Sequence, residues 1–197
     1  MLSRVRTAVL VSGGGTNLQA LIDSAARGEM ESTELALVVS NKASAYALER
    51  ARAAGIEAVY LKNDSEFEDK LAALLKERGI GLIVLAGFLR ILDERFINEY
   101  AGRIINVHPS LIPSFCGKGY YGLKVHEAAL ARGVKVTGAT VHIVTAEADA
   151  GPILLQKAVE IEDCDTPEIL QKRVMEQAEW VLLPKACEMM AERMRNA

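Results

Sequence analysis

The chain has 197 residues, half of them apolar and a quarter charged, enough to bury a substantial core as one globular domain over 1–197. Its 23 Lys and Arg are scattered among 26 Asp and Glu for a net charge of -3, which excludes a basic field for nucleic acid and leaves room only for a local anion pocket. No apolar run reaches the length of a membrane span, and the opening one is too short for a signal peptide, so the expected location is cytoplasmic.

The first apolar run, Thr7–Val11, reads as a strand that passes into Ser12-Gly13-Gly14-Gly15-Thr16-Asn17-Leu18-Gln19 and a helical pattern over Asn17–Ala26. Glycines let the backbone approach an anion closely, and the free N–H groups of a helix start can bind phosphate. No Gly-Lys-Ser/Thr follows as in a P-loop, and Leu18 stands where a dinucleotide fingerprint needs its third Gly. A phosphorylated small molecule is the better reading, with a structural tight turn as its alternative. The second strand, Leu35–Val39, ends in Ser40-Asn41-Lys42, without the acidic residue a NAD ribose would want.

Helical and strand patterns then alternate: Ala45–Ala54, strand Ala58–Leu61, helix Glu66–Arg78 and strand Leu82–Ala86. The loop Gly87-Phe88-Leu89-Arg90-Ile91-Leu92 offers backbone donors and acceptors beside apolar side chains, which suits a flat heteroaromatic ring or a loop tucked into the core. A short helix around Glu94–Tyr100 leads to strand Ile104–Val107. This βαβα rhythm predicts an α/β fold with a mostly parallel sheet covered by helices.

Asn106 and His108 are two apart at the end of that strand, so their side chains emerge on one face just before Pro109. With Asp149 later in the chain they form a candidate set. An amide and an imidazole can hold a carbonyl oxygen as it becomes an oxyanion, and a carboxylate would raise the imidazole pKa so that it can donate. Such a set suits acyl transfer without a covalent enzyme intermediate; the alternative is a histidine satisfied by the backbone beside a proline turn. Ser110 reads as part of that turn, and no Gly-x-Ser-x-Gly elbow supports a serine hydrolase. Cys116, Cys164 and Cys187 lack a C-x-x-C pair and read as reduced thiols, with Cys116 either a packed thiol or a nucleophile. Three histidines without ligand spacing predict no metal centre.

Gly117-Lys118-Gly119-Tyr120-Tyr121-Gly122 reads as a mobile loop before a helix over Leu123–Ala131 that carries His126, in either a structural or a functional role. Strands Thr137–Val144, with His142 as a partly buried structural residue, and Ile153–Ile161 are joined through Ala148–Pro152, an antiparallel addition. The last helix starts at Asp165-Thr166-Pro167-Glu168 with Asp165 as an acidic cap, and Pro184 should kink or end it.

Gly15 to Gln19, Ser40-Asn41-Lys42, Ala86 to Leu92, Asn106-Val107-His108-Pro109-Ser110-Leu111-Ile112-Pro113, Val141-His142 and Asp149-Ala150-Gly151-Pro152-Ile153 together resemble the folate-dependent phosphoribosylglycinamide formyltransferases, in order over about nine tenths of the chain. The resemblance implies a Rossmann-like sheet and transfer of a formyl group from 10-formyltetrahydrofolate, a co-substrate, to the glycinamide amine of a phosphoribosyl acceptor in purine biosynthesis. It implies His108 as general acid and oxyanion partner, Asn106 as donor to the formyl oxygen and Asp149 as the carboxylate that tunes His108. Gly15, Thr16, Asn17, Leu18, Gln19 and Glu179 would hold the acceptor. Leu89, Arg90, Ile91 and Leu92, with Asn106 and the loop Thr145, Ala146, Glu147, Ala148 and Asp149, would hold the folate. Residues 1–100 would then form the phosphoribosyl-binding part and 101–197 the catalytic and folate-binding part.

The sequence departs from that family in three places. Cys116-Gly117 is followed by an apparent insertion, Lys118–Gly122, and Lys124 replaces the first residue of a His-x-His pair that ends at His126. The stretch Asp64-Ser65-Glu66 lacks an Arg the family often uses for folate, and Arg173–Pro184 is one residue longer than usual. Rival readings are formyltetrahydrofolate deformylase, methionyl-tRNA formyltransferase and a non-catalytic phosphometabolite-binding module. The expected partners are small molecules, with no membrane or nucleic acid, and the chain is expected to be a monomer or homodimer.

Overall fold

The computed structural model describes residues 3–196. Its strands are β1 (Val5–Val11), β2 (Thr33–Ser40), β3 (Glu57–Tyr60), β4 (Leu82–Leu85), β5 (Ile104–His108), β6 (Val136–Ile143) and β7 (Ile153–Glu160), joined in one sheet of order β3-β2-β1-β4-β5-β6-β7. The helices are α1 (Thr16–Ala26), α2 (Tyr46–Ala53), α3 (Phe67–Glu77), α4 (Glu94–Glu99), α5 (Leu123–Arg132), α6 (Pro167–Val174) and α7 (Trp180–Arg195). The first five strands run parallel, and β6 and β7 are antiparallel additions beside β5, as the sequence pattern predicts.

Strand alternation divides the core between the two faces of the sheet. Along β1, Val9 and Val11 face the layer containing Leu18 and Leu48, while Ala8 and Leu10 face Phe67, Leu71 and Phe96. Both faces are apolar because helices cover both, which is why the parallel strands read as continuous apolar runs. Among the described residues no helix is long and apolar enough to cross a membrane.

The C-terminal segment differs from its sequence expectation in two ways. The cap of α6 is Thr166, whose hydroxyl accepts the Ile169 N–H at 3.3 Å, while the Asp165 carboxylate is turned to both terminal nitrogens of Arg173. A carboxylate that can hold a guanidinium with two bonds gains more there than at a helix end. Pro184 neither ends nor begins a helix: α7 continues through it to Arg195. The adjustment comes earlier, in a wide π-type turn over Met175–Glu179, where the Trp180 N–H reaches the Met175 carbonyl five residues back. Such a turn accommodates one extra residue within the helical run. It also sits just ahead of the carbonyl that the Pro184 ring would otherwise crowd.

Candidate active site

Strand order reverses between β1 and β4, and in a parallel sheet the loops leaving the strand ends part there and leave a crevice. The loops after β1, β4 and β5 open into one cleft of about 750 Å³ at this point. Ser12 joins the first two. Its hydroxyl donates to Asn41 Oδ1 at 2.8 Å and accepts the Leu89 N–H at 2.9 Å, and its own N–H reaches the Gly87 carbonyl at 3.2 Å.

The glycines of the loop sit in two different settings. Gly15 has φ +74°, and a Cβ there would lie 2.6 Å from the Ala47 Cβ, so it is glycine because α2 crosses close behind it. Gly13 and Gly14 line the cleft with nothing within 4 Å of where a Cβ would stand, leaving bare backbone for an anion. Thr16 and Asn17 also line the cleft, whereas Leu18 is fully buried in the core and Gln19 turns away to Asp23 (2.8 Å) and Arg50 (2.9 Å). Glu179 arrives from the wide turn, and its carboxylate accepts the Asn17 amide N–H at 2.6 Å. Burial pushes the Glu179 carboxyl up to about 7, with the Asn17 contact pulling the other way.

At the end of β5, His108 is 4 % exposed, and its Nε2–H donates to the Phe115 carbonyl at 2.9 Å. Asp149 lies between two imidazoles, 3.5 Å from His108 Nδ1 and 3.5 Å from His142 Nε2, and accepts the Gly117 N–H at 2.8 Å. The two non-glycine residues with left-handed backbone among the described residues are Phe115 and Asp149, the two that flank His108.

His142 contributes more than the structural filling expected of it. Its Nδ1–H donates to the Ile143 carbonyl at 3.0 Å, so its Nε2 is free to accept the Asn106 amide N–H at 3.2 Å. The detectable signal is register: Asn106 and His142 face each other across the β5–β6 ladder. The expected rise in the His108 pKa is reversed. Burial pushes it below its ordinary value, and Asp149 and the Phe115 carbonyl only partly oppose this. Burial alone would raise the Asp149 carboxyl, but its polar neighbours, among them His108 and the Gly117 amide, bring it below the usual range.

Of the residues assigned to a heteroaromatic ligand, Leu89 and Ile91 line the cleft and are 55 % and 81 % exposed, large apolar surfaces left open. Leu92 is buried in the core. The Arg90 guanidinium is held by both Glu68 carboxylate oxygens (2.8 and 2.6 Å) and by Asn63, so it braces the loop and is not free for a ligand. From the β6–β7 loop, Ala148 and Asp149 line the cleft, and Thr145, Ala146 and Glu147 lie outside it. Cys116 donates its S–H to the Pro113 carbonyl at 3.3 Å, and burial, then Asp149, raises its pKa, which disfavours the thiolate a nucleophile needs. His126 is fully buried, and burial pushes its pKa to about 4. Among the described residues no group of three or more His, Cys, Asp or Glu is placed to hold a metal ion.

Residues 5–186 match the family profile described as formyl transferase. The chain is 43% identical to the human trifunctional purine biosynthetic protein adenosine-3 over 95% of its own length, yet it spans only 18% of that protein. It is 42% identical to the phosphoribosylglycinamide formyltransferase of Haemophilus influenzae, covering 87% of this chain and 81% of the relative. The crystal structure of glycinamide ribonucleotide transformylase 1 from Symbiobacterium toebii superposes with a TM-score of 0.89 at 40% identity, covering 96% of this chain and 89% of that one.

Proposed function

The chain belongs to the formyl transferase family, and on that premise we propose that it transfers a formyl group from 10-formyltetrahydrofolate to the amine of phosphoribosylglycinamide, as a single domain working in purine biosynthesis. The observation that carries this reading is one cleft lined at once by bare glycine backbone, open apolar side chains and the Asn106, His108 and Asp149 set. Asn106, which stands near both ligands on this reading, meets the transferring group.

The acceptor amine attacks the formyl carbon, and the carbonyl oxygen gains negative charge as the new C–N bond forms. Asn106 and His108 donate N–H hydrogen bonds to that oxygen, the formyl oxygen replacing the Phe115 carbonyl as partner of His108. His108 begins as neutral imidazole, because burial holds its pKa down. Nδ1, the ring nitrogen without a hydrogen, takes up the amine proton, and Asp149, 3.5 Å from it, stabilises the cation that forms. His108 then returns the proton, as general acid, to N10 of the folate as the C–N10 bond breaks. The N–H gained by N10 balances the one lost by the amine, and no covalent enzyme intermediate is needed.

A folate absorbance assay tests the reading, with purified protein and 10-formyltetrahydrofolate run with and without phosphoribosylglycinamide. Turnover that requires the acceptor is expected. Folate release without acceptor identifies a deformylase, and no release in either case overturns the catalytic reading.

A further inference from the structure

A phosphate resting on the Gly13–Asn17 loop, as the proposed function has it, needs a counter-charge. Backbone N–H groups and a helix start supply only partial positive charge. The neighbouring side chains supply none: Met175, whose sulfur accepts from Thr16, is a thioether, and Glu179 is a carboxyl. Arg50 grips the loop from behind, through the Gly14 carbonyl and Gln19.

Two Lys or Arg residues line the cleft among the described residues, Arg90 and Lys118, and Arg90 is committed to Glu68 and Asn63. Lys124, the neighbouring cation on α5, donates to the Tyr121 hydroxyl at 3.0 Å and lies 4.6 Å over that ring. Lys118 is exposed and has no hydrogen-bond or ion-pair partner among the described residues.

Its setting suits a side chain that moves to meet a ligand. Lys118 stands between Gly117 (φ +82°) and Gly119 (φ +96°), in a segment closed by Gly122 (φ +53°). The Gly117 N–H is fixed to Asp149, and the Tyr120 ring meets Phe115 edge-on at 6.3 Å, so the loop is anchored at the chemistry while the lysine projects free. We propose that Lys118 is the counter-charge for the phosphate of the acceptor, which makes the inserted segment a specificity determinant for the acceptor side of the cleft. The inference rests on the proposed function; carboxylates on the tail of the folate donor are the competing source of negative charge.

Steady-state kinetics on Lys118→Met and Lys118→Arg, with each substrate varied at saturation of the other, separates the cases. Lys118→Met should raise KM for phosphoribosylglycinamide about tenfold, the scale of one exposed charge-assisted contact. The donor KM and kcat should stay near wild type, and Lys118→Arg should restore the acceptor KM. An unchanged acceptor KM overturns the proposal, and so does a rise confined to the donor KM, which would assign Lys118 to the folate. Calorimetry with ribose 5-phosphate provides a readout independent of turnover. Weaker binding by Lys118→Met than by wild type supports the proposal even if the wild-type protein proves inactive with this acceptor, and equal binding overturns it.

Discussion

Asn106 and His142 are partners across the β5–β6 ladder, and the imidazole fixes which way the Asn106 amide points. The Ile143 carbonyl takes the proton of Nδ1, leaving Nε2 as an acceptor, and an acceptor there requires the amide nitrogen of Asn106 to face it. His142→Phe keeps the burial and removes that acceptor, so kcat should fall about tenfold or more with little change in either KM, an orienting effect on one oxyanion donor. Combined with Asn106→Ala the losses should be far from additive. Fully additive losses in a double-mutant cycle would separate the two residues.

His108→Ala and Asp149→Asn should each lose on the order of 10²–10³ in kcat while calorimetric binding of phosphoribosylglycinamide survives. The pH profile carries a second signature. His108 titrates below its ordinary value, so activity should hold down to mildly acid pH and fall as the imidazole protonates. Asp149 opposes that depression, so its removal should move the acid limb to still lower pH as well as lowering the plateau. An unmoved limb in Asp149→Asn would show that the carboxylate does not tune His108.

The glycine loop separates stability from binding. Gly15→Ala forces a side chain into φ +74° and against Ala47, and thermal unfolding should show a loss of roughly 1–3 kcal/mol. Gly14→Ala meets nothing in the protein, so its melting temperature should match wild type while affinity for the phosphorylated acceptor drops. A stable Gly15→Ala, or a Gly14→Ala with unchanged affinity, contradicts this division.

Glu179 makes stability fall with rising pH. Its carboxyl stays protonated in the folded state up to about 7, against 4.5 ordinarily, so between those values the unfolded chain releases a proton the folded chain keeps. The resulting loss, complete above about pH 7, is on the order of 3 kcal/mol. Glu179→Gln should remove that component, so urea unfolding at pH 5 and pH 8 should show a smaller difference in the variant. Equal pH dependence in both proteins would place the charge elsewhere.

The alternating apolar runs made the sheet, its parallel half and its antiparallel addition legible, because buried strands leave an unmistakable pattern. The Asn106 and His108 pair was legible for the same reason: period two puts both on one face. Less visible was anything depending on distance between segments. Leu18 and Leu92 sit inside motif-like stretches yet point into the core, and Arg90 looks available in sequence but is held by Glu68, 22 residues earlier. The His108 pKa was misjudged because burial is a property of the assembled fold, while the neighbouring carboxylate was the only cause the sequence displayed. That the helix would continue through Pro184 was hidden, because local propensity does not reveal that a widened turn will precede it.

The antiparallel pairing of β6 with β5 also orders events in time. A chain emerging from its N-terminus presents the glycine loop, the Leu89–Ile91 surface and the Asn106–His108 pair before β6 and the loop behind it supply His142 and Asp149. An incomplete chain can therefore offer ligand surfaces without the groups that orient the amide and support the imidazolium. On the proposed mechanism, turnover would report whether the far side of the sheet has closed.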